Sequence, residues 1–342
     1  RPSVKQKKIR LNNKVLIVGG GLAGVQTAAA LNGFGYKTTL IERNEVLGGE
    51  LKDVLKDFPG ESETNSFPGK EHFAGAEFSE GLERIAVNTN SVLERLDGHI
   101  GNFTARIQTP SGQKELRVGA VVLAPGVSAS EETLKAHMPT GASNVLTISD
   151  LQQYIQSLPK IRKQRNIGLI LDLVVDETKA STEMALAMAD RIQELPDYQV
   201  HLFLREVRVA SLELEEFYDH VRDNGVNIVK YSDLDIQTLN GDEEIAVTCT
   251  DSVLGTSVSI HCDAVGISTY GTGSAVDPVL IEATGMDTDP FGLLQENNIH
   301  LFPGETNRRG VYVAGAARGT FYIPDIIQEA KAVAESVHLL LS

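Results

Sequence analysis

The sequence feature that most constrains the fold lies between residues 14 and 42. An apolar segment from Lys14 to Val18 leads into the glycine-rich stretch Gly19-Gly20-Gly21-Leu22-Ala23-Gly24, and an alanine-rich run follows from Val25 to Leu31. A second apolar segment begins at Lys37 and ends in Glu42. A strand, a Gly-x-Gly-x-x-Gly turn, a helix and a strand ending in an acid form a dinucleotide-binding βαβ unit. The sequence therefore predicts an α/β protein that binds a dinucleotide near its N-terminus.

Each glycine of this turn has a separate expected role. Gly19 permits the tight turn, Gly21 lets the backbone approach a pyrophosphate, and Gly24 allows the helix to pack closely on the strand. The N-terminus of the helix offers N–H groups and a positive dipole to the phosphates. Glu42 is expected to accept hydrogen bonds from both hydroxyls of a ribose. A purely structural turn is the alternative interpretation, and the complete βαβ context favours the binding function.

Length and charge restrict the class of protein. A chain of 342 residues has room for roughly two domains. Its formal net charge of −15 argues against binding to nucleic acid, which needs clustered basic residues. We find no apolar stretch near the roughly 18 residues of a membrane span and no signal-peptide pattern. Cys249 and Cys262 are the only cysteines, so a disulfide framework is excluded. These observations predict a cytoplasmic protein without membrane association.

Four further segments are candidates for contact with the same ligand. Gly48 and Gly49 follow the ribose-binding acid and let backbone lie against a ligand larger than NAD, although a plain loop is the alternative. Val92 lies where an adenine could rest. Gly119 to Gly126 is predicted as a buried strand with a Pro-Gly end, and Arg309 to Gly319 precedes a helix that starts near Ile323. That helix start could face the pyrimidine edge of a flavin, or the helix could be purely structural.

A second series of strands and helices occupies the middle of the chain. Strands are predicted at 166–171, 199–204 and 226–229, and helices at 181–195 and 212–224, after a polar helical linker from 148 to 163. This alternation predicts a parallel sheet. The first turn of the series, residues 172–180, contains no glycine and has three carboxylates, Asp172, Asp176 and Glu177. Because these would repel a pyrophosphate, we expect this domain to lack an ordinary NAD(P)H site.

Two hairpins are predicted, at 103–118 and 245–262. Simple pairing around Gly255 would place Cys249 and Cys262 on opposite faces of the second hairpin, as ordinary strand residues. His99 and His261 fall in these segments, and we interpret them as structural. The sequence therefore assigns no catalytic acid or base and no metal ligand.

Together, several motifs resemble the two-dinucleotide-domain flavoproteins, the group that includes thioredoxin reductase. They are the N-terminal turn, Leu47-Gly48-Gly49-Glu50, Leu123-Ala124-Pro125-Gly126 and Val313-Ala314-Gly315-Ala316. Residues 96–103, 215–218 and 313–325 further resemble one branch of this group, which is the A-type flavoprotein of heterodisulfide reductase. The length is similar to the short form found in the sulfur-oxidising, heterodisulfide reductase-like complex.

The resemblance implies that FAD is the cofactor and lies between the two ends of the chain. The residues that would contact it are Gly19, Gly21, Leu22, Ala23, Gly24, Glu42 and Arg43 at the ADP half, Val92 at the adenine, Gly48, Gly49, Glu50, Leu51, Ala124 and Gly126 along the ribityl and flavin, and Gly315, Ala316, Ile323 and Pro324 at the isoalloxazine. The expected fold has two Rossmann-like domains. Residues 12–150 plus 270–342 would form the FAD domain, and residues 160–269 an NAD-binding-like domain with a degenerate turn.

The implied function is an FAD-binding electron-transfer subunit in cytoplasmic sulfur oxidation. Such a protein would form a homodimer and exchange electrons with iron–sulfur and disulfide-handling partner subunits. The alternatives are an NAD(P)H-dependent flavin disulfide oxidoreductase, and a binding module that keeps the fold as a scaffold.

The sequence departs from the resembled families at two places. Ala316 stands where many flavoproteins have an Asp that binds the ribityl chain. Residues 172–184 lack the cysteines that ligate a cluster in the heterodisulfide reductase branch. We therefore expect neither a cluster at that place nor direct disulfide reduction by this chain.

Overall fold

The structure is a computed structural model that describes residues 11–49, 85–127, 135–139, 141–158, 164–210, 212–239, 244–269, 271–272, 275–298 and 300–342. Its strands are β1 (Lys14–Val18), β2 (Lys37–Ile41), β3 (Ala86–Asn88), β4 (Val92–His99), β5 (Asn102–Thr109), β6 (Gly112–Val118), β7 (Ala120–Leu123), β8 (Val145–Thr147), β9 (Arg165–Ile170), β10 (Asp176–Glu177), β11 (Tyr198–Leu204), β12 (Asn227–Leu239), β13 (Glu244–Asp251), β14 (Thr256–Cys262), β15 (Ala264–Ile267), β16 (Gly271–Thr272), β17 (Glu296–Asn298), β18 (Phe302–Thr306) and β19 (Val311–Val313). Its helices are α1 (Leu22–Gly33), α2 (Ile148–Ser157), α3 (Lys179–Gln193), α4 (Leu212–Asp223), α5 (Pro278–Thr284) and α6 (Ile323–Leu341), with a 3₁₀ helix at Gly315–Arg318.

The first large sheet combines strands from both ends of the chain. Its order is β17-β18-β19-β7-β1-β2-β3, and the five strands from β19 to β3 run parallel. Val15, Leu16 and Ile17 of β1 are fully buried because this central strand is covered on both faces. α1 and α6 contribute to the same hydrophobic core. The N- and C-terminal segments therefore form one dinucleotide-binding fold, as the sequence predicted.

The second large sheet repeats this plan in the middle of the chain. Its order is β14-β13-β12-β11-β9-β15-β8, with parallel pairing from β12 to β8. β9 lies between β15 and β11, just as β1 lies between β7 and β2, and α3 follows β9 as α1 follows β1. The predicted two-Rossmann fold class is thus confirmed. The exact domain boundaries remain a prediction.

Two details of the middle segment differ from the expectations. Residues 148–157 are helical as predicted, but they are not a polar linker, because β8 joins the second sheet and Leu151 and Ile155 are buried in the core. β12 extends to Leu239, well beyond the predicted strand at 226–229, because it also pairs with β13 in an antiparallel ladder.

The prediction that the two cysteines lie on opposite faces of their hairpin is wrong. β13 pairs Cys249 with Val258 and Ile245 with Cys262. Ile245 and Cys249 are four residues apart and share a face, because side chains alternate with a period of two. Both cysteines therefore lie in the same hydrophobic core, at 3% and 0% exposure. The turn is centred before Gly255, which shifts the register from the one expected.

Candidate functional site

A cavity of about 350 Å³ lies at the carboxyl ends of the central strands of the first sheet. Val18, Glu42, Ala124 and Ala314, which end or directly follow β1, β2, β7 and β19, line it. Ligands of open α/β sheets bind in the crevice at this edge. The volume is within the range of small-molecule and cofactor sites. The cavity is therefore the candidate functional site.

The glycine-rich turn forms one wall of the cavity. A Cβ added to Gly24 would lie 1.9 Å from the carbonyl oxygen of Gly19, and one added to Gly19, at φ +107°, would lie 2.0 Å from the carbonyl oxygen of Ala124. Only glycine permits this close packing of helix and strands. Gly21 is the N-cap of α1, and no side chain caps this helix. Its first N–H groups and positive dipole are thus available to an anionic ligand.

Glu42 lies where the sequence places the ribose-binding acid. It is buried, and its carboxylate accepts hydrogen bonds from the backbone N–H of Gly20, at 2.6 Å, and of Asn44, at 2.8 Å. Two N–H donors fix the orientation of the carboxylate at the cavity wall. Each carboxylate oxygen has a second lone pair, so both can also accept a hydrogen bond from a ligand hydroxyl.

Most of the predicted cofactor-binding residues line this one cavity. The lining includes Gly19, Gly21, Leu22, Ala23, Glu42, Arg43, Gly48, Gly49, Val92, Ala124, Gly126, Gly315 and Ala316. Gly24 packs behind the turn, and Ile323 and Pro324 are outside the lining. Glu50 and Leu51 lie outside the described residues. The structure brings the two ends of the chain together at the cavity, and contact of these residues with FAD stays a prediction.

Sequence reasoning missed two helix starts at the cavity. Ser149 and Asp150 belong to the first turn of α2, and Asp277 is the N-cap of α5, whose Val279 also lines the cavity. Local signals for both helix starts exist, namely Thr147, which caps Asp150, and the Asp277-Pro278 pair. These signals reveal that helices begin there, but not that they begin beside the crevice.

An ion pair crosses the rim of the cavity. Arg43 Nη1 lies 3.7 Å from Asp277 Oδ2, and both side chains are about half exposed. Asp277 Oδ1 accepts a hydrogen bond from the Val279 N–H at 2.9 Å. The pair joins the segment after β2 to α5, although an exposed pair of this kind contributes little stability.

At the C-terminal end, a buried charge network lies behind the cavity wall. Gly315 donates its N–H to Glu329 Oε1 at 2.7 Å, and Arg318 Nη1 lies 3.4 Å from Glu329 Oε2. Arg318 Nη2 also donates to Glu296 Oε2 at 2.8 Å. Burial raises the pKa of Glu329, while the Thr320 hydroxyl, Arg318 and the Gly315 N–H oppose that rise. The wall formed by Gly315 and Ala316 is therefore fixed from behind by charged groups.

The corresponding turn of the second sheet is filled by its own side chains. Asp172 has φ +59° and is buried, and its carboxylate accepts hydrogen bonds from the Arg205 N–H at 3.0 Å and from Arg208 Nη1 at 2.9 Å. The N-terminus of α3 is closed by a reciprocal pair in which Thr178 and Ser181 each cap the other's backbone. The N–H groups that α1 leaves available are thus partly satisfied in α3. Arg208 also compensates the charge of Asp172, which the sequence interpretation had treated as uncompensated.

Neither cysteine belongs to the cavity. Burial raises the pKa of the Cys262 thiol to about 12 and also raises the pKa of Cys249. Within the described ranges, we find no group of three or more His, Cys, Asp or Glu side chains arranged to bind a metal ion. None of the described helices is long and apolar enough to cross a membrane.

Comparison with known sequences gives a consistent result. The profile of the pyridine nucleotide-disulphide oxidoreductase family matches residues 13–335. The A-type iron-sulfur protein of the CoB–CoM heterodisulfide reductase of Methanocaldococcus jannaschii is 22% identical over 98% of this chain, which spans 65% of that protein's length. A protein of Archaeoglobus profundus that is similar to the same component of heterodisulfide reductase is 21% identical, over 99% of this chain and 68% of its own length. The resemblance identified from motifs is thus confirmed.

Comparison with solved structures supports the same fold. Thioredoxin reductase of T. acidophilum superposes with a TM-score of 0.68 at 16% identity, covering 96% of this chain and 98% of its own. A NAD-dependent persulfide reductase of A. fulgidus gives a TM-score of 0.62 at 16% identity, covering 95% of this chain and 58% of its own. At this level of identity the likeness concerns the fold alone.

FAD is the cofactor of the matched family, in agreement with the sequence-based prediction. The described residues fit this cofactor. The uncapped α1 N-terminus suits a pyrophosphate and the fixed carboxylate of Glu42 suits a ribose. The backbones of Gly21 and Gly49 approach each other at the cavity, so they present no side chains to an extended ligand.

Proposed function

Because this chain belongs to the pyridine nucleotide-disulphide oxidoreductase family, we propose that it is an FAD-binding electron-transfer subunit of a heterodisulfide reductase-like complex. When bound, FAD supplies the redox chemistry, since its isoalloxazine accepts and releases electrons. The chain itself binds the cofactor, excludes water from it and sets its electrostatic surroundings. The residues that line the cavity, from Gly19 to Ala316, are proposed to contact it.

The contrast between the two nucleotide turns carries this proposal. α1 begins without a side-chain cap at the edge of a cavity, whereas α3 is capped by Thr178 and preceded by the buried Asp172. A second dinucleotide would have to displace Asp172 from Arg208 and compete with Thr178 for the first N–H groups of α3. We therefore propose that electrons reach the flavin from protein partners rather than from a nicotinamide bound to the second sheet.

The cysteine positions favour electron transfer over disulfide reduction by this chain. Direct reduction of a disulfide would require a thiol pair beside the flavin. Cys249 and Cys262 are the only cysteines in the sequence, and both are buried in the core of the second sheet, away from the cavity. The disulfide chemistry is thus assigned to other components of the complex.

The finer assignments are also proposals. The curated relatives are components of heterodisulfide reductases, and one of them is named an iron-sulfur protein of that enzyme. We propose that this chain exchanges electrons with iron–sulfur and disulfide-handling subunits, forms a homodimer and acts in cytoplasmic sulfur oxidation. The FAD domain is proposed to comprise residues 12–150 plus 270–342, and the NAD-binding-like domain residues 160–269.

The test is a visible spectrum of protein purified without oxygen, with quantitation of flavin and iron. We expect one FAD per chain. Excess FAD should also raise the thermal stability of protein from which flavin has been stripped, by about 2.7 kcal/mol at a ligand concentration 100 times the Kd. Colourless protein that gains no stability from FAD would contradict the proposal and favour a scaffold without cofactor.

The alternative is an NAD(P)H-dependent flavin disulfide oxidoreductase. The family name and the likeness of the second sheet to a nucleotide-binding fold favour it. The two functions differ in rapid mixing of the FAD-loaded protein with NADH or NADPH. The electron-transfer proposal expects little loss of flavin absorbance on the time scale of turnover. Fast bleaching that saturates with nucleotide concentration would favour the alternative.

A further inference from the structure

The network of Glu296, Arg318 and Glu329 places two carboxylates and one guanidinium together in a largely buried region. Their side chains are 8%, 18% and 10% exposed, respectively. Glu296 also accepts a hydrogen bond from the Gly304 N–H. When all three groups are ionised, the network has a net charge of −1. Buried charge without a full counter-charge is costly, so such a site favours the uptake of a proton.

Glu329 is the member of the network with a direct connection to the cavity. Ile326, one helical turn earlier on α6, lines the cavity, as does Gly315, whose N–H Glu329 accepts. Residues three apart on a helix share a face. Glu329 itself is outside the lining, so it acts on the cavity through Gly315 and Arg318 and would not touch a bound ligand.

We propose that Glu329 is a positioning residue for FAD, whose ionised carboxylate fixes the turn at residues 315–318 against the flavin. This inference rests on the proposed FAD site. In the ionised state Glu329 binds both the Gly315 N–H and Arg318, and charge-assisted hydrogen bonds are about twice as strong as neutral ones. Protonation removes the ion pair with Arg318 and weakens the bond to Gly315, which loosens that side of the cavity.

The charged groups that face Glu329 within the described residues are Arg318, from the 3₁₀ helix, and Glu296, from β17. The Gly315 N–H and the Thr320 hydroxyl are its neutral partners. Arg318 favours the ionised form and Glu296 disfavours it. Arg318 Nε is buried and has no hydrogen-bond partner in this part of the chain, so the guanidinium interacts mainly with the two carboxylates.

The test is the Kd of oxidised FAD, measured by quenching of flavin fluorescence between pH 5 and pH 9. In the wild-type protein we expect affinity to rise roughly three- to tenfold as the pH passes through the pKa of Glu329. Glu329→Gln should bind FAD weakly and lack this pH-dependent step. Glu335→Gln, on an exposed position of the same helix, is the matched control and should behave as wild type.

A second variant separates charge from structure. Glu296→Gln removes the repulsive carboxylate, so the pH-dependent step should move to lower pH rather than disappear. Each single variant leaves Arg318 with one carboxylate partner, so a neutral 1:1 pair remains in the folded protein. A purely structural role for Glu329 would leave the pH profile of Glu296→Gln unchanged.

The outcomes distinguish the two levels of inference. If the wild-type protein fails to bind FAD, the proposed function fails. If the wild type binds FAD but its affinity is independent of pH, or if Glu329→Gln keeps the wild-type pH profile, only the role of Glu329 is overturned. An unchanged pH profile in Glu296→Gln overturns the charge coupling in the same way.

Discussion

Gly315 and Ala23 meet where the two ends of the chain close around the cavity. A Cβ at Gly315 would lie 2.7 Å from the Cβ of Ala23, and Gly315 has φ +77°. The first turn of α1 and the turn after β19 thus approach so closely that a methyl group cannot fit between them. This contact forms the junction of the N- and C-terminal parts of the candidate FAD site.

Gly315→Ala should therefore weaken both folding and FAD binding. A non-glycine residue in left-handed conformation costs roughly 1–2 kcal/mol, and the clash with Ala23 adds about 1–3 kcal/mol of overpacking. Gly285→Ala is the matched control, because Gly285 has φ +65° and open space around its Cβ position. We expect Gly315→Ala to be the less stable variant in urea denaturation and to lose roughly tenfold in FAD affinity. Equal stability of the two variants would contradict the close contact.

Glu42→Gln should reduce FAD affinity by roughly ten- to a hundredfold, since hydrogen bonds to charged groups contribute about 1.5–3 kcal/mol. The amide would also direct its NH2 group at either the Gly20 or the Asn44 N–H, which both donate to the carboxylate. Glu45→Gln, at an exposed position nearby, provides the control. Titration with FAD measures the effect, and equal affinity in the two variants would exclude Glu42 from ribose binding.

Asp172→Asn should destabilise the second domain. Asn retains the left-handed conformation and a hydrogen bond to the Arg205 N–H, but it removes the charge that pairs with Arg208. We expect a loss of about 1–3 kcal/mol in the free energy of unfolding, because a buried partner is removed from an ion pair. Asp197→Asn tests the same substitution at φ +68° on an exposed residue. An equal effect at both positions would contradict a structural role of the Asp172–Arg208 pair.

The two thiols should be unreactive in the folded protein. With a pKa of about 12, only about one in 10,000 Cys262 side chains is a thiolate at pH 8. Cys249 is also buried and its pKa is raised. Reaction with a thiol-specific chromogenic disulfide should therefore be slow in buffer and reach two thiols per chain in denaturant. Rapid modification of either cysteine at pH 8 in the native state would argue against their burial and favour a redox role.

The sequence was most informative where the determining interactions are local. The turn from Gly19 to Gly24 and the acid at Glu42 could be recognised because a strand, a tight turn and a helix cap are all specified by neighbouring residues. The same applies to the degenerate turn before α3, although not to its compensation by Arg208. The hairpin register failed by contrast, because a small shift of the turn moves a side chain such as Cys262 to the other face.

The sequence by itself determined that this chain has two dinucleotide-binding folds and that only the first has a glycine-rich turn for the phosphates of a ligand. Only the tertiary structure decided which distant segments complete the cavity: the starts of α2 and α5, the contact of Gly315 with Ala23, and the charges of Glu296, Arg318 and Glu329 behind the wall. The physical reason is that these contacts join residues far apart in the chain. Their partners are chosen by the packing of whole sheets and helices, which local sequence patterns do not encode.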